Sequence, residues 1–265
     1  MKSNLPQLMA AGPQAPPAAT RWRSARDAVA LLIAMLVPSL MTWLEFTVVP
    51  YQSEDAKPTV QAVFLAGKGV QFLLPLVFVL LVEPRAFVPS WPTRRYLLLG
   101  VVFGLIVGAG ALALYFLWLR DTTLFDGTAG KFVQWLEDWG LATPAAFWTM
   151  AVAFAAIHSL LEEAYWRWFV FGWLRRYLAL PWALAISSVG FMAHHVVILS
   201  IYLPGNFWLG VVPFSLCVAL GGVIWGWLYD RGGSLIPVWI SHALVDLALM
   251  LLGWDLALQY WAKAG

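Results

Sequence analysis

Charged side chains are scarce in this 265-residue chain: Lys, Arg, Asp and Glu together make up 11%, and the formal net charge is only +2. So small a positive balance provides no basic field for nucleic acid. Cysteine is scarcer still. The single Cys217, set in an apolar run with no evident base beside it, excludes an intramolecular disulfide framework and argues against thiol catalysis. The opening residues, rich in Pro, Ala and Gln, contain no apolar core of the kind a signal peptide needs, so residues 1–26 read as a disordered cytoplasmic tail. Apolar side chains fill the remainder. The chain is 62% hydrophobic with 17 Trp, and its mean hydropathy is +0.76. Such a composition requires an all-α fold, a polytopic helix bundle in a lipid bilayer, because helices satisfy their own backbone groups there.

Seven spans are predicted: about Ala28 to Val49, Thr59 to Val82, Tyr96 to Leu119, Pro144 to Leu174, Pro181 to Tyr202, Asn206 to Tyr229 and Ser234 to Gly253. Between the third and fourth, Phe132, Val133, Trp135, Leu136 and Trp139 alternate with Lys131, Glu137 and Asp138, the pattern of a short interfacial helix. This divides the chain into the tail, an N-terminal membrane region (27–143), a second helix bundle (144–253) and a C-terminal tail (254–265). Arg21, Arg23, Arg26, Arg85, Arg94, Arg95, Arg175, Arg176 and Arg231 all fall on one side, which places the N-terminus in the cytoplasm. Gly100, Gly104 and Gly108 repeat at four-residue intervals in the third span and mark a close helix contact. Lys68, deep in the second span, either meets Glu45 or snorkels towards water.

The fourth span carries Glu162, Glu163 and Arg167 inside an apolar run. Each charge at the centre of a spanning helix is unfavourable by roughly 2.5–3.5 kcal/mol, so the three together need partners. Glu163 and Arg167 are i and i+4 and share a face, whereas Glu162 is turned about 100° and lines up with His158. One carboxylate thus has a built-in counter-ion and the other does not. At about 1.5 Å per residue, Glu162 lies about 18 Å from Leu174, His195 about 21 Å from Pro181, and His242 and Asp246 about 12 and 18 Å from Ser234. These are similar depths on three helices. His194 points about 100° away from His195, so one of the two faces the cluster squarely and the other is structural. Read singly, each polar group is equally well a helix-to-helix hydrogen bond; read together they form a functional site.

Glu162-Glu163-x-x-x-Arg167, Phe191-x-x-x-His195 and His242-x-x-x-Asp246 resemble, in order and spacing, the three motifs of the CAAX-protease and bacteriocin-processing (CPBP, Abi) family of intramembrane proteases. The resemblance covers roughly Ala145 to Gly253. Asparagine is frequent in that family where Asp246 stands here. The resemblance implies an endopeptidase in which Glu162 and His195 activate a water, His242 and Asp246 bind the carbonyl or oxyanion, and Glu163, Arg167 and Phe191 support them. A carboxylate and an imidazole on one water suit general acid–base chemistry. Asp246 then acts either protonated, as a donor, or by orienting His242. Expected partners are the bilayer and a membrane-anchored or lipidated peptide or protein, as in C-terminal CAAX processing, bacteriocin maturation or sorting-tag trimming. The expected location is a bacterial inner membrane. No cofactor is expected; zinc, held by Glu162, His195, His242 and Asp246, is the alternative. A proton-coupled transporter or a membrane scaffold is the competing function, since intramembrane carboxylates and histidines also form proton relays.

The arginine distribution generates a topological prediction. A cysteine introduced between residues 83 and 95 should be labelled from the cytoplasmic side of the membrane, and one between 121 and 130 from the opposite side. Inverted labelling would overturn the orientation.

Overall fold

The computed structural model describes residues 18–48, 53, 55–82, 90–125 and 127–264, with the side chains of 18–24, 82 and 264 left aside. Among the described residues seven helices are long and apolar enough to cross a membrane. In chain order α1 is Ala18–Trp43 with a π-helical end, Leu44–Val48. Next come α2, Lys57–Val77, ending in Phe78–Val82, and α3, Arg94–Leu117. The short α4, Thr128–Asp138, is followed by the four remaining spans: α5, Pro144–Leu174; α6, Leu180–Tyr202; α7, Phe207–Gly232; and α8, Ile236–Ala264. The chain is an integral, multi-pass membrane protein. Leu32, Leu36, Val63, Val70, Leu105 and Ile106 are among the many large apolar side chains left on the outside, a surface suited to lipid.

Helix extends into both segments expected as tails. Helix α1 already begins at Ala18, while residues 1–17 lie outside the described set, as does Arg85. At the other end, the segment expected as a tail from residue 254 continues α8 to Ala264. Its apolar face has something to bury against: Ala257 is inaccessible, and the Trp254 ring lies 4.8 Å from that of Phe147. Its polar face is also tied, because Asp255 accepts hydrogen bonds from Tyr115 (2.8 Å), Arg120 (2.9 Å) and Gln259 (2.6 Å). Helix α4 is amphipathic as expected, with Val133 and Leu136 buried in the same cluster as Phe147 and Ala257.

Polar contacts collect at the two ends of the bundle and leave the middle to apolar packing and the site. At one end Lys57 pairs with Asp138 (3.0 Å), Lys131 donates to the carbonyl of Ile201 (2.7 Å), and Arg120 pairs with Asp255. At the other, buried Asp27 accepts from Trp173 Nε1 (2.9 Å) and Tyr177 Oη (2.5 Å), and Arg175 pairs with Asp230 (3.0 Å). Adjacent spans run in opposite directions between these ends.

Helix α3 reaches α8 through the glycine stripe. A Cβ on Gly100 would collide with the Pro237 carbonyl, one on Gly104 would sit 2.7 Å from the Ser241 carbonyl oxygen, and one on Gly108 would press on Ala248 Cβ at 3.2 Å. Close backbone approach needs glycine here. The middle contact falls one residue before His242, so the stripe fixes the depth of that histidine. Gly104→Val should therefore lower the stability of the purified protein by about 1–3 kcal/mol, the usual range for overpacking. Gly110→Val, with open space around its Cβ, should leave the unfolding midpoint unchanged. Equal midpoints for the two variants would remove the proposed role of the stripe.

Candidate active site

Helix α5 is not a uniform α-helix. Its α-helical start, Pro144–Ala153, passes into a π-helical turn, Phe154–His158, then a short α-helical piece, Ser159–Glu163, then π-helix again from Ala164 to Phe171. Wide turns of this kind concentrate at functional sites because they rotate the residues that follow. Here both Glu162 and Glu163 face into the bundle and are buried. The two are neighbours in the α-helical piece, so their side chains leave the helix about 100° apart and approach a common partner from two sides. His242 of α8 lies between them: its Nδ1 is 2.7 Å from Glu163 Oε1 and its Nε2 3.8 Å from Glu162 Oε2.

Glu163 is the structural half of the pair. It is completely buried, and Arg167 Nε lies 3.0 Å from its Oε2, as the i, i+4 spacing required. The guanidinium has aromatic rings for its remaining surface, with Phe191 at 4.5 Å and Trp225 at 5.2 Å from ring centroid to Cζ. These are cation–π distances, and they accompany two guanidinium nitrogens that make no hydrogen bond. Phe191 also touches His195 and His242, with centroids 4.8 and 5.9 Å away, so the aromatic residue of the second motif packs against members of the other two. Trp225 of α7 stacks on His242 at 4.5 Å and donates to Ser241 Oγ at 3.0 Å.

Among the described residues Glu162 has no arginine or lysine in ion-pair contact and is instead ringed by imidazoles. Its Oε1 is 3.3 Å from His194 Nε2 and 3.5 Å from His158 Nε2, both longer than the 2.7 Å bond that holds Glu163. The expected division between the histidines of α6 changes accordingly. His194 is the one that faces Glu162 in contact, stacked parallel to Trp166 at 5.9 Å. His195 is half-buried beside it, ring centroids 4.1 Å apart, with no direct ion pair to Glu162 among the described residues. Its Nδ1 donates to the Phe191 carbonyl (3.0 Å), which leaves Nε2 as the nitrogen with a free lone pair. A base that acts through a water does not touch its partner carboxylate, so this separation is compatible with the expected role.

Asp246 completes the cluster. Its Oδ1 lies 3.4 Å from His242 Nε2, and its buried Oδ2 makes no hydrogen bond. Glu162, Glu163, His194, His195, His242 and Asp246 are thus gathered around one level of α5, α6 and α8. Trp225 and the close approach of His194 escaped the sequence reading. Neither sits in a motif, and the only prior signal for His194 was its adjacency to His195. Among the described residues no three of these donors stand in ligand geometry for a metal ion.

Comparison with known families agrees with the motif spacing. Residues 143–248 match the Rce1-like family of type II CAAX prenyl endopeptidases. The match spans α5 to α7 and α8 as far as Ala248, taking in every residue of the cluster and leaving α1 to α4 outside it. Comparison with curated proteins and with solved structures gave no match.

Breaking the Glu163 and Arg167 pair should unfold the bundle before it alters the chemistry. Arg167→Ala leaves Glu163 buried without its cation, a change of about 3–5 kcal/mol, and should appear as a large drop in the thermal midpoint or as lost expression. A stable Arg167→Ala protein without activity would move Arg167 from support to chemistry.

Proposed function

We propose that the protein is an intramembrane endopeptidase that hydrolyses a peptide bond near the C-terminus of a lipidated, membrane-anchored peptide or protein. The observation that carries this reading is the convergence of Glu162 and the α6 and α8 imidazoles on one site inside the segment that matches the prenyl endopeptidase family. In the proposed step Glu162 and His195 Nε2 take a proton from a water held between them as its oxygen adds to the scissile carbonyl carbon. The same groups return a proton to the amide nitrogen as the carbon–nitrogen bond breaks, giving a carboxylate and an amine. His242 supplies the donor for the developing oxyanion. It does so as an imidazolium: one N–H, at Nδ1, is bonded to Glu163, and the second, at Nε2, faces the space between Glu162 and Asp246. Asp246 orients that ring. His194, Arg167 and Phe191 hold the catalytic groups in place.

The reaction so written uses only side chains and water. The arginines expected on one side support a cytoplasmic N-terminus. A proton-coupled transporter would also place carboxylates and histidines together, but Glu163 is sealed completely against Arg167 and His242, and the family match is to endopeptidases.

Purified protein in liposomes should release the C-terminal tripeptide from a farnesylated peptide. Glu162→Gln and His195→Ala should each lower turnover by at least about 100-fold with an unchanged unfolding midpoint. Full turnover by either variant would remove the water-activating pair. Phenanthroline should leave the rate unaltered. Stoichiometric zinc in the purified protein, with activity abolished by chelation and restored by zinc, would reassign Glu162, His195, His242 and Asp246 as ligand candidates.

A further inference from the structure

His158 of α5 contacts Glu162 yet takes no part in the mechanism above. It precedes Glu162 by four residues, and its Nε2 is 3.5 Å from Glu162 Oε1. His194 Nε2 reaches the same oxygen from α6 at 3.3 Å. The other oxygen, Oε2, has His242 Nε2 beside it at 3.8 Å. The two oxygens of Glu162 are therefore unlike: Oε1 is flanked by two imidazoles, and Oε2 faces the space shared with His242 and Asp246. Both Oε1 contacts are longer than a closed hydrogen bond, as catalytic contacts often are before substrate arrives.

The surroundings of His158 fix its ring and offer it no competing partner. Phe154, four residues earlier, stacks on it at 4.2 Å with the planes 21° apart, and Phe72 of α2 meets it edge-on at 5.8 Å. Among the described residues its polar side-chain contact is Glu162, whereas His195 is bonded to the Phe191 carbonyl. Lys68, one turn before Phe72, has its Nζ 5.7 Å from the Phe64 ring centroid and makes no ion pair with Glu45 or Glu162 among the described residues. Phe72 is itself held. It packs edge-on at 6.3 Å against Tyr165, whose hydroxyl donates to the Ala34 carbonyl at 2.6 Å. Pro38 has no N–H to give that carbonyl, so the tyrosine replaces the missing helical donor. Helices α1 and α2, outside the family match, thus back the histidine.

Resting on the endopeptidase reading, we infer that His158 is a positioning residue that, together with His194, occupies Glu162 Oε1 and so leaves Oε2 as the oxygen that handles the proton of the attacking water. A carboxylate oxygen accepts through two lone pairs, and a proton on each Nε2 lets the two imidazoles fill both. The proton that Glu162 takes from the water then goes to Oε2 as the water oxygen bonds to the carbonyl carbon. It returns from Oε2 to the amide nitrogen as the carbon–nitrogen bond breaks. With His158 gone, one lone pair of Oε1 would stand open, and a proton taken there would lie on the side away from the scissile bond. His158 acts on the reaction through Glu162 alone.

The test is a double-mutant cycle of His158→Leu and Glu162→Gln in the full-length protein in nanodiscs, read on a farnesylated Cys-Val-Ile-Met peptide. Leucine keeps bulk between Phe154 and Phe72 and removes the N–H. His158→Leu should lower kcat at least about tenfold, the weight of one hydrogen bond to a charged group, with KM within about twofold of wild type. His158→Gln, which presents an N–H at a similar reach, should recover most of kcat, and the shorter His158→Asn should behave as leucine does. In the Glu162→Gln background His158→Leu should change the residual rate by less than about twofold, because the carboxylate it acts through is gone. An unchanged kcat in His158→Leu, a loss through KM alone, or an equal loss in the Glu162→Gln background would overturn the proposal. Unfolding midpoints of the same four proteins make failure of the peptidase reading separable. If the wild type cleaves nothing, non-additive midpoints sink the hydrolysis and keep His158 as the residue that positions Glu162, and additive midpoints overturn both.

Discussion

A buried ion pair in an apolar bundle governs this structure. Glu163 and Arg167 are both almost wholly inaccessible, and removing either one would strand the other charge where water cannot reach it. The pair is joined by a third polar group, since Glu163 also accepts from His242 Nδ1 at 2.7 Å. That single bond ties α8 to α5 and fixes which edge of the imidazole points at Glu162. Arg167 contributes a second constraint through Phe191 and Trp225, which line its planar face and belong to α6 and α7. One charged cluster thereby sets the registration of four helices.

The apolar packing is arranged around that cluster. The glycines of α3 admit the backbone of α8 next to Ser241 and so carry His242 to the level of the carboxylates. Two consecutive glutamates in the α-helical piece of α5 meet His242 from two sides, and their surroundings separate them in kind. Glu163 meets a guanidinium and becomes a scaffold. Among the described residues Glu162 meets only imidazoles, at distances of 3.3 to 3.8 Å, and is the carboxylate proposed to exchange a proton. The polar locks at the two ends, Asp27 with Trp173 and Tyr177, and Asp255 with Arg120, hold the helix ends without touching this chemistry.

Much of the fold and of the site was legible because the signals were large. Seven long apolar runs can only be spanning helices, and charges inside them had to be partnered, which led directly to Glu163 with Arg167 and to the shared level of Glu162, His195 and His242. Finer geometry was not legible. Which of His194 and His195 approaches Glu162 depends on helix rotation, and a reading at 100° per residue cannot include π-helical turns such as those in α5. The continuation of α8 to Ala264 depended on tertiary contacts of Ala257 and Asp255, which hydropathy does not register. Trp225 entered the site through stacking, without a motif to announce it.

The central claim is that the Glu163 and Arg167 charges are coupled in the folded bundle and hold it in register. A double-mutant cycle of Glu163→Gln and Arg167→Met, followed by unfolding in one detergent, measures that coupling directly. The account predicts that the double variant loses less stability than the two single losses added together, with a coupling of at least about 1 kcal/mol. Additive losses, within the error of the unfolding measurement, would contradict it.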